Sequence, residues 1–124
     1  MTITVAVYPP YWLSANDRLH WAEKARRTKA LRAMGFAAWY KAGRPTYDRA
    51  RLTVDVTWPD RRRRDAANAH PTIKALVDGM VHPGPKVRGI LPDDSDRYLD
   101  GPYPHAHPGT GGIYLLAFDF EALS

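Results

Sequence analysis

Residues 51–59 read RLTVDVTWP, the cleanest alternating run in the chain. Leu52, Val54, Val56 and Trp58 face one way, and Thr53, Asp55 and Thr57 the other. Pro59 ends the run, as proline ends most strands. A strand with one apolar face has to bury it, so something must cover the sheet it belongs to. At 124 residues the chain has room for one domain and one real core.

The remaining elements follow from period and punctuation. ITVAVYPP alternates Ile3, Val5 and Val7 against Thr4 and Ala6 and stops at Pro9-Pro10, which predicts a first strand. The proline-free stretch that follows is rich in Ala, Arg, Lys and Leu and predicts a helix over residues 17–42. Ser14 and Asn16 are its candidate N-caps, Gly43 and Pro45 its stop, and Gly35 a weak point in its middle. Pro71 suits the first position of a second helix running to Val81, where Ile73, Leu76, Val77 and Met80 share one buried face. HPGPKVRGILPDD and PYPHAHPGTGG read as loops, with a weak strand near RYLDG. IYLLAFDF is apolar on both faces and predicts a well-buried last strand. The expected fold is α+β, a single domain of order β-α-β-α-(β)-β, with two helices on one face of a small mixed sheet.

Charge narrows the function. The net charge is +5 and the sequence pI about 9.7, a balance that favours a polyanionic partner, nucleic acid before an anionic membrane. Six cations, Arg18, Lys24, Arg26, Arg27, Lys29 and Arg32, crowd the first half of the first helix. Arg61 to Arg64 form a second basic run, in which Arg61 and Arg63 point opposite to Arg62 and Arg64 if the segment is extended. Arg forks match phosphate oxygens, although a run of this kind also serves as a plain solvated surface. The chain has no cysteine, which excludes disulfides, thiolate nucleophiles and cysteine-bound zinc. No signal peptide and no run long enough to span a membrane is evident, so a cytoplasmic protein is expected.

Acidic residues number only 13, so their placement is informative. Asp65 lies just beyond the cleanest strand, Asp78 on the second helix four residues after Lys74, and Asp93, Asp94 and Asp96 in a loop. If that helix packs back on the sheet, oxygen ligands converge from three segments, as Mg²⁺ or Mn²⁺ prefers. The plainer alternatives are a cap or ion pair for Asp65, an acidic turn for the later aspartates, and a surface pair for Lys74 and Asp78. That pair runs in the less favourable order for helix stability. His20, His70 and His82 are available as ligands or proton carriers, but no HExxH spacing supports them, and the His105–His107 pair falls in a stretch read as loop. No nucleotide-cradling or serine-hydrolase motif is present.

Taken together, PDRRRRDAAN, KALVDGM and LPDDSD, preceded by YPPYWLSANDRLHW, resemble the RusA family of Holliday-junction resolvases, including its phage and prophage variants. The resemblance spans roughly residues 3–120. It implies a small homodimeric, Mg²⁺-dependent endonuclease, with Mn²⁺ as a substitute ion, that nicks opposing strands of four-way DNA junctions. Asp65 matches the first acid of the family's D-x-D-N motif and Asn68 its Asn. Lys74 matches the essential lysine, Asp78 the helix aspartate, and Asp94 the second residue of the DD pair, with Asp93 beside it. The resemblance thus implies Asp65, Asp94 and Lys74 as catalytic and Asp65, Asp78, Asp93 and Asp94 as metal ligands. Asn16, Arg18, Lys24, Arg27, Arg61, Arg62, Arg63, Arg64 and Asn68 are the expected DNA contacts. Two departures stand out: Ala67 replaces the second acid of D-x-D-N, and the Asp65-to-Lys74 spacing is longer than in the family's best-known form. The alternatives are a junction-binding module whose site has decayed at Ala67, and an RNA-processing protein with no junction preference.

Overall fold

A computed structural model describes residues 1–124. Four strands form one sheet: β1 (Thr2–Val7), β2 (Ala50–Thr57), β3 (Leu99–His107) and β4 (Tyr114–Ala122), in the order β1-β4-β2-β3. β4 pairs antiparallel with both β1 and β2, while β2 and β3 run parallel through the crossover that carries α2 (His70–Val81). The other helix, α1 (Trp21–Lys41), packs beside α2 on the same side. The expected α+β architecture, a mixed sheet under two helices, is the one observed.

Register explains the core. Ile3 pairs with Phe118 and Phe118 with Val54, and Val5 pairs with Leu116 and Leu116 with Val56. All six are buried, so the alternating residues of three strands form two apolar rows beneath the helices. Burying each such side chain is worth about 1.5–3 kcal/mol. β4 differs from its expectation: Leu116, Phe118 and Phe120 are buried, whereas Leu115, Asp119 and Glu121 are exposed. Both helices lie on one face, so the other face of this largely antiparallel sheet stays wet and β4 needs only one apolar side.

β3 is the largest correction. PYPHAH reads as loop, yet Tyr103 to His107 pair in register with Thr53 to Thr57 of β2. β3 lies at the sheet edge, where Pro102 and Pro104 can sit without breaking a ladder on the outer side. His105 and His107 are therefore strand residues, and His107 Nε2 lies 2.8 Å from Asp55 Oδ1 on the neighbouring strand.

α1 begins later than expected. The Ser14 N–H donates to Asp17 Oδ2 at 2.9 Å, closing a turn where the helix was expected to start. His20 is the N-cap instead, its Nδ1 accepting from the Ala22 N–H at 3.2 Å, and neither Ser14 nor Asn16 caps the helix. Gly35 proves to be a packing device rather than a weak point. A Cβ there would lie 2.0 Å from the carbonyl oxygen of Leu76, and one on Gly79 would lie 2.0 Å from that of Arg32. The two helices thus touch backbone to backbone at two points.

Three contacts place the loops. Buried Thr72 exchanges hydrogen bonds with the N–H and C=O of Leu13, both 2.8 Å, fixing the segment after β1 to the start of α2. The Ile90 N–H donates to the Met80 carbonyl at 2.9 Å, and the Tyr47 N–H to the Ile90 carbonyl at 2.8 Å. Ile90 and Leu91 are fully buried, which anchors the chain just before Asp93 and Asp94.

Candidate functional site

Lys74, Asp78 and His82 succeed one another at intervals of four and so share a stripe of α2 and its C-cap. The anchored loop brings Asp93 and Asp94 to that stripe. Lys74 Nζ lies 3.7 Å from Asp78 Oδ1 and 3.6 Å from Asp94 Oδ2, and His82 Nε2 lies 3.6 Å from Asp93 Oδ1. The ligating atoms of His82, Asp93 and Asp94 all fall within 4.8 Å of one another. A cavity of about 180 Å³ opens beside them, lined by His70, Lys74 and Asp94 and floored by Leu99, Gly101 and Pro102.

Electrostatics set Asp78 and Asp94 apart. Partial burial raises the Asp78 carboxyl above its usual range, and its hydrogen bond with Asp94 raises it further, against the pull of Lys74. Burial alone would raise Asp94 too, but the same hydrogen bond, with Lys74 and His82 near, holds it below the usual range. The two carboxyls are thus pushed in opposite directions, as two acids held against each other are. A cation among them would relieve that repulsion. Two carboxylates and one imidazole converge there, donor types that Mn²⁺ accepts and of which Mg²⁺ favours the oxygens. His82, Asp93 and Asp94 are the residues whose ligating atoms converge, and Asp78, hydrogen-bonded to Asp94, lies beside them.

Other expected site residues lie elsewhere. Asp65 is not part of this group. It caps the 3₁₀ turn Ala66–Ala69, its Oδ1 accepting from the Ala67 N–H at 3.0 Å, and that turn runs straight into α2. Ala67 is exposed. Asn68 and Asn16 come together across the Thr72 anchor, the Asn16 Nδ2 donating to Asn68 Oδ1 at 3.2 Å. Asp96 is not one of the converging residues.

The arginine run divides as its alternation requires. Asp60 receives Arg64 in a bidentate pair at 2.6 and 3.0 Å, Arg62 Nε at 3.3 Å and the Arg62 N–H at 2.9 Å. These bonds, the Arg64 fork foremost, hold the Asp60 carboxyl far below the usual range. Arg64 also lies over the Trp58 ring, 5.3 Å from its centroid, and keeps 17% of its side-chain exposure. Arg61 and Arg63 are exposed and form no ion pair. On α1, Arg27 is likewise occupied, bonding Glu23 at 2.8 Å and the Trp12 carbonyl at 2.9 Å. Lys24 and Arg18 are exposed. His82 is the group that motif spacing missed; its place four residues after Asp78 is the sign that could have found it. No family model matches the chain, and no curated protein matches it.

Proposed function

We propose that this chain is a Mg²⁺-dependent DNA endonuclease acting on four-way junctions as a homodimer. The observation that carries the reading is the placement of Lys74 between Asp78 and Asp94, with Asp93 and His82 alongside. Acids that converge where a cation would sit, beside an exposed lysine that now pairs with two of them, would suit phosphodiester hydrolysis. Bound there, a divalent ion would polarise the phosphate and lower the pKa of a water. Lys74, 62% exposed, would balance the charge that builds on the phosphate oxygens. Arg61 and Arg63, with the basic residues of α1, would hold the backbone. A symmetric dimer would present two such sites to a two-fold junction.

The test is cleavage of a synthetic four-way junction in Mg²⁺. Wild-type protein is expected to nick paired strands. Lys74→Ala is expected to slow nicking at least ten-fold with little change in junction affinity measured in EDTA. Full activity in Lys74→Ala sinks the assignment.

One observation favours a second reading, a junction-binding module with a decayed site. Ala67 stands where the resemblance expects an acid, and Asp65 is engaged as a cap of the turn before α2. Ala67 is exposed, so an aspartate there meets no burial cost. A large gain of cleavage in Ala67→Asp over an inactive wild type would select the binding module; no gain over an active wild type would select the enzyme.

A further inference from the structure

One face of α1 joins features that neither the acidic group nor the arginine run uses. Trp21 opens the helix with 77% of its surface exposed, the most exposed large apolar residue of the chain. Lys24, Ala25, Thr28 and Arg32 follow on the same stripe with Lys29 at its border, and together these six residues line an open groove of about 450 Å³. No carboxylate lines this groove. Glu23, the acid of the first turn, is bonded to Arg26 at 2.6 Å and to Arg27 at 2.8 Å, on another side of the helix. Lys24, Lys29 and Arg32 take part in no ion pair. Asp60, Glu23 and Asp100 occupy five guanidinium groups elsewhere, whereas these three cations are unpaired and flank an exposed indole that has the His20 ring tilted against it at 5.4 Å.

The groove leads somewhere. Arg32 sits where α1 and α2 touch, its carbonyl against Gly79, and its charge bears on Asp78. Eleven residues of helix separate Trp21 from Arg32, roughly 16 Å at 1.5 Å per residue. That is a span of a few nucleotides of extended single strand.

We propose that the Trp21–Arg32 face of α1 is a track for single-stranded nucleic acid, with an unpaired base stacked on the Trp21 indole and the adjoining phosphates carried past Lys24, Lys29 and Arg32 toward Asp78. The proposal rests on the nucleic-acid reading above and names its path. The chemistry commits to this occupant: phosphates match the unpaired cations, and a base is the flat group that stacks on an exposed indole, whose His20 neighbour leaves it 77% exposed. A lipid surface would need several apolar side chains on the face, and Trp21 is the only large one lining the groove.

Tryptophan fluorescence tests this directly. Trp12, Trp39 and Trp58 are 6%, 2% and 3% exposed, so a bound base can quench Trp21 alone. The metal-free protein, in EDTA, is titrated with a short oligothymidylate. The expected result is a saturable quench that disappears in Trp21→Ala, with roughly ten-fold weaker binding by that variant in a label-based assay. Trp21→Phe is expected to keep most of the affinity while losing the signal. Lys29→Ala is expected to lower the slope of log affinity against log salt by about 0.7, one single-strand phosphate contact. Trp21 is exposed, so these variants are expected to fold, and circular dichroism checks that they do. Binding with no quench, or unchanged affinity in Trp21→Ala, overturns the proposal. So does a Trp21 response to phosphatidylglycerol vesicles and none to the oligonucleotide, which would mark a membrane-binding face. Without metal the result is independent of cleavage. A quench together with no junction cleavage in Mg²⁺ removes the endonuclease reading and keeps the track, whereas cleavage without a quench does the reverse.

Discussion

Asp60 gathers Arg62 and Arg64 from within four residues of itself, at 3.3 and 2.6 Å. Lys74 gathers Asp94 from a distant loop, at 3.6 Å, and Asp78 from its own helix at 3.7 Å. In the first region positive charge is spent locally, so four arginines leave two fully free. In the second, like charges are pressed together by packing far from the charges themselves: Ile90 and Leu91 in the core, and α1 against α2. Local neutralisation survives loosening of the fold, while enforced crowding does not. Crowding of acids around a cation also has a use that neutralised charge lacks, since it leaves a debt of repulsion that an added ion settles.

That contrast can be broken from either side. The largest effect is expected at the crowded site: Asp94→Asn should reduce junction cleavage in Mg²⁺ by roughly 10²-fold or more, read in a gel assay, with junction affinity in EDTA little changed. Next is the packing that enforces the crowding. Gly79→Ala should destabilise the protein by about 3 kcal/mol in urea unfolding, because its methyl group meets a backbone carbonyl that cannot swing aside. Asp60→Asn should destabilise far less than Gly79→Ala, since its pairs are local and Asp60 itself is half exposed, although Arg64 is part-buried. It should instead release Arg62 and Arg64 and steepen the salt dependence of duplex binding by about 1–2 in log–log slope.

The smallest expected effect concerns pH. Asp78 is raised in the folded protein, so its contribution to stability is largest at low pH and is lost as pH rises through the folded value. Asp78→Asn should therefore gain stability over wild type at pH 7 and lose that gain near pH 3, in thermal melts across the range. Glu23 has the opposite sign. Hydrogen bonds from Arg26 and then Arg27 lower it to about 2, so its contribution is full above the ordinary carboxylate range and fades toward pH 2. Glu23→Gln should thus narrow its deficit against wild type as pH falls.

The fold was legible where one period dominated. Alternation in β1 and β2 and the stripe Ile73, Leu76, Val77 and Met80 of α2 depend on short-range geometry, and all appear as expected. β3 was legible only at its start, where the weak strand near RYLDG overlaps Leu99–Gly101; the rest was hidden because Pro102 and Pro104 carry loop chemistry and only the free ladder of β2 makes them a strand. The start of α1 was misplaced because Ser14 and Asn16 have capping side chains, but the Ser14–Asp17 turn claims that stretch first. In the site, the i,i+4 relation of Lys74 and Asp78 was visible. The arrival of Asp93 and Asp94 required the burial of Ile90 and Leu91, which no local pattern announces. The cost of reading charge by density was the arginine run, half of which Asp60 had already taken.

The double glycine contact between α1 and α2 has a mechanical consequence. A single point of touch is a pivot, about which two helices can roll. Two points, Gly35 on Leu76 and Gly79 on Arg32, make a fixed mounting. Arg32 stands at one of these points and Asp78 immediately precedes the glycine that meets it. The basic face of α1 and the acidic stripe of α2 are therefore bolted together, so a strand guided along the first, as proposed, would arrive at the second with no hinge between them.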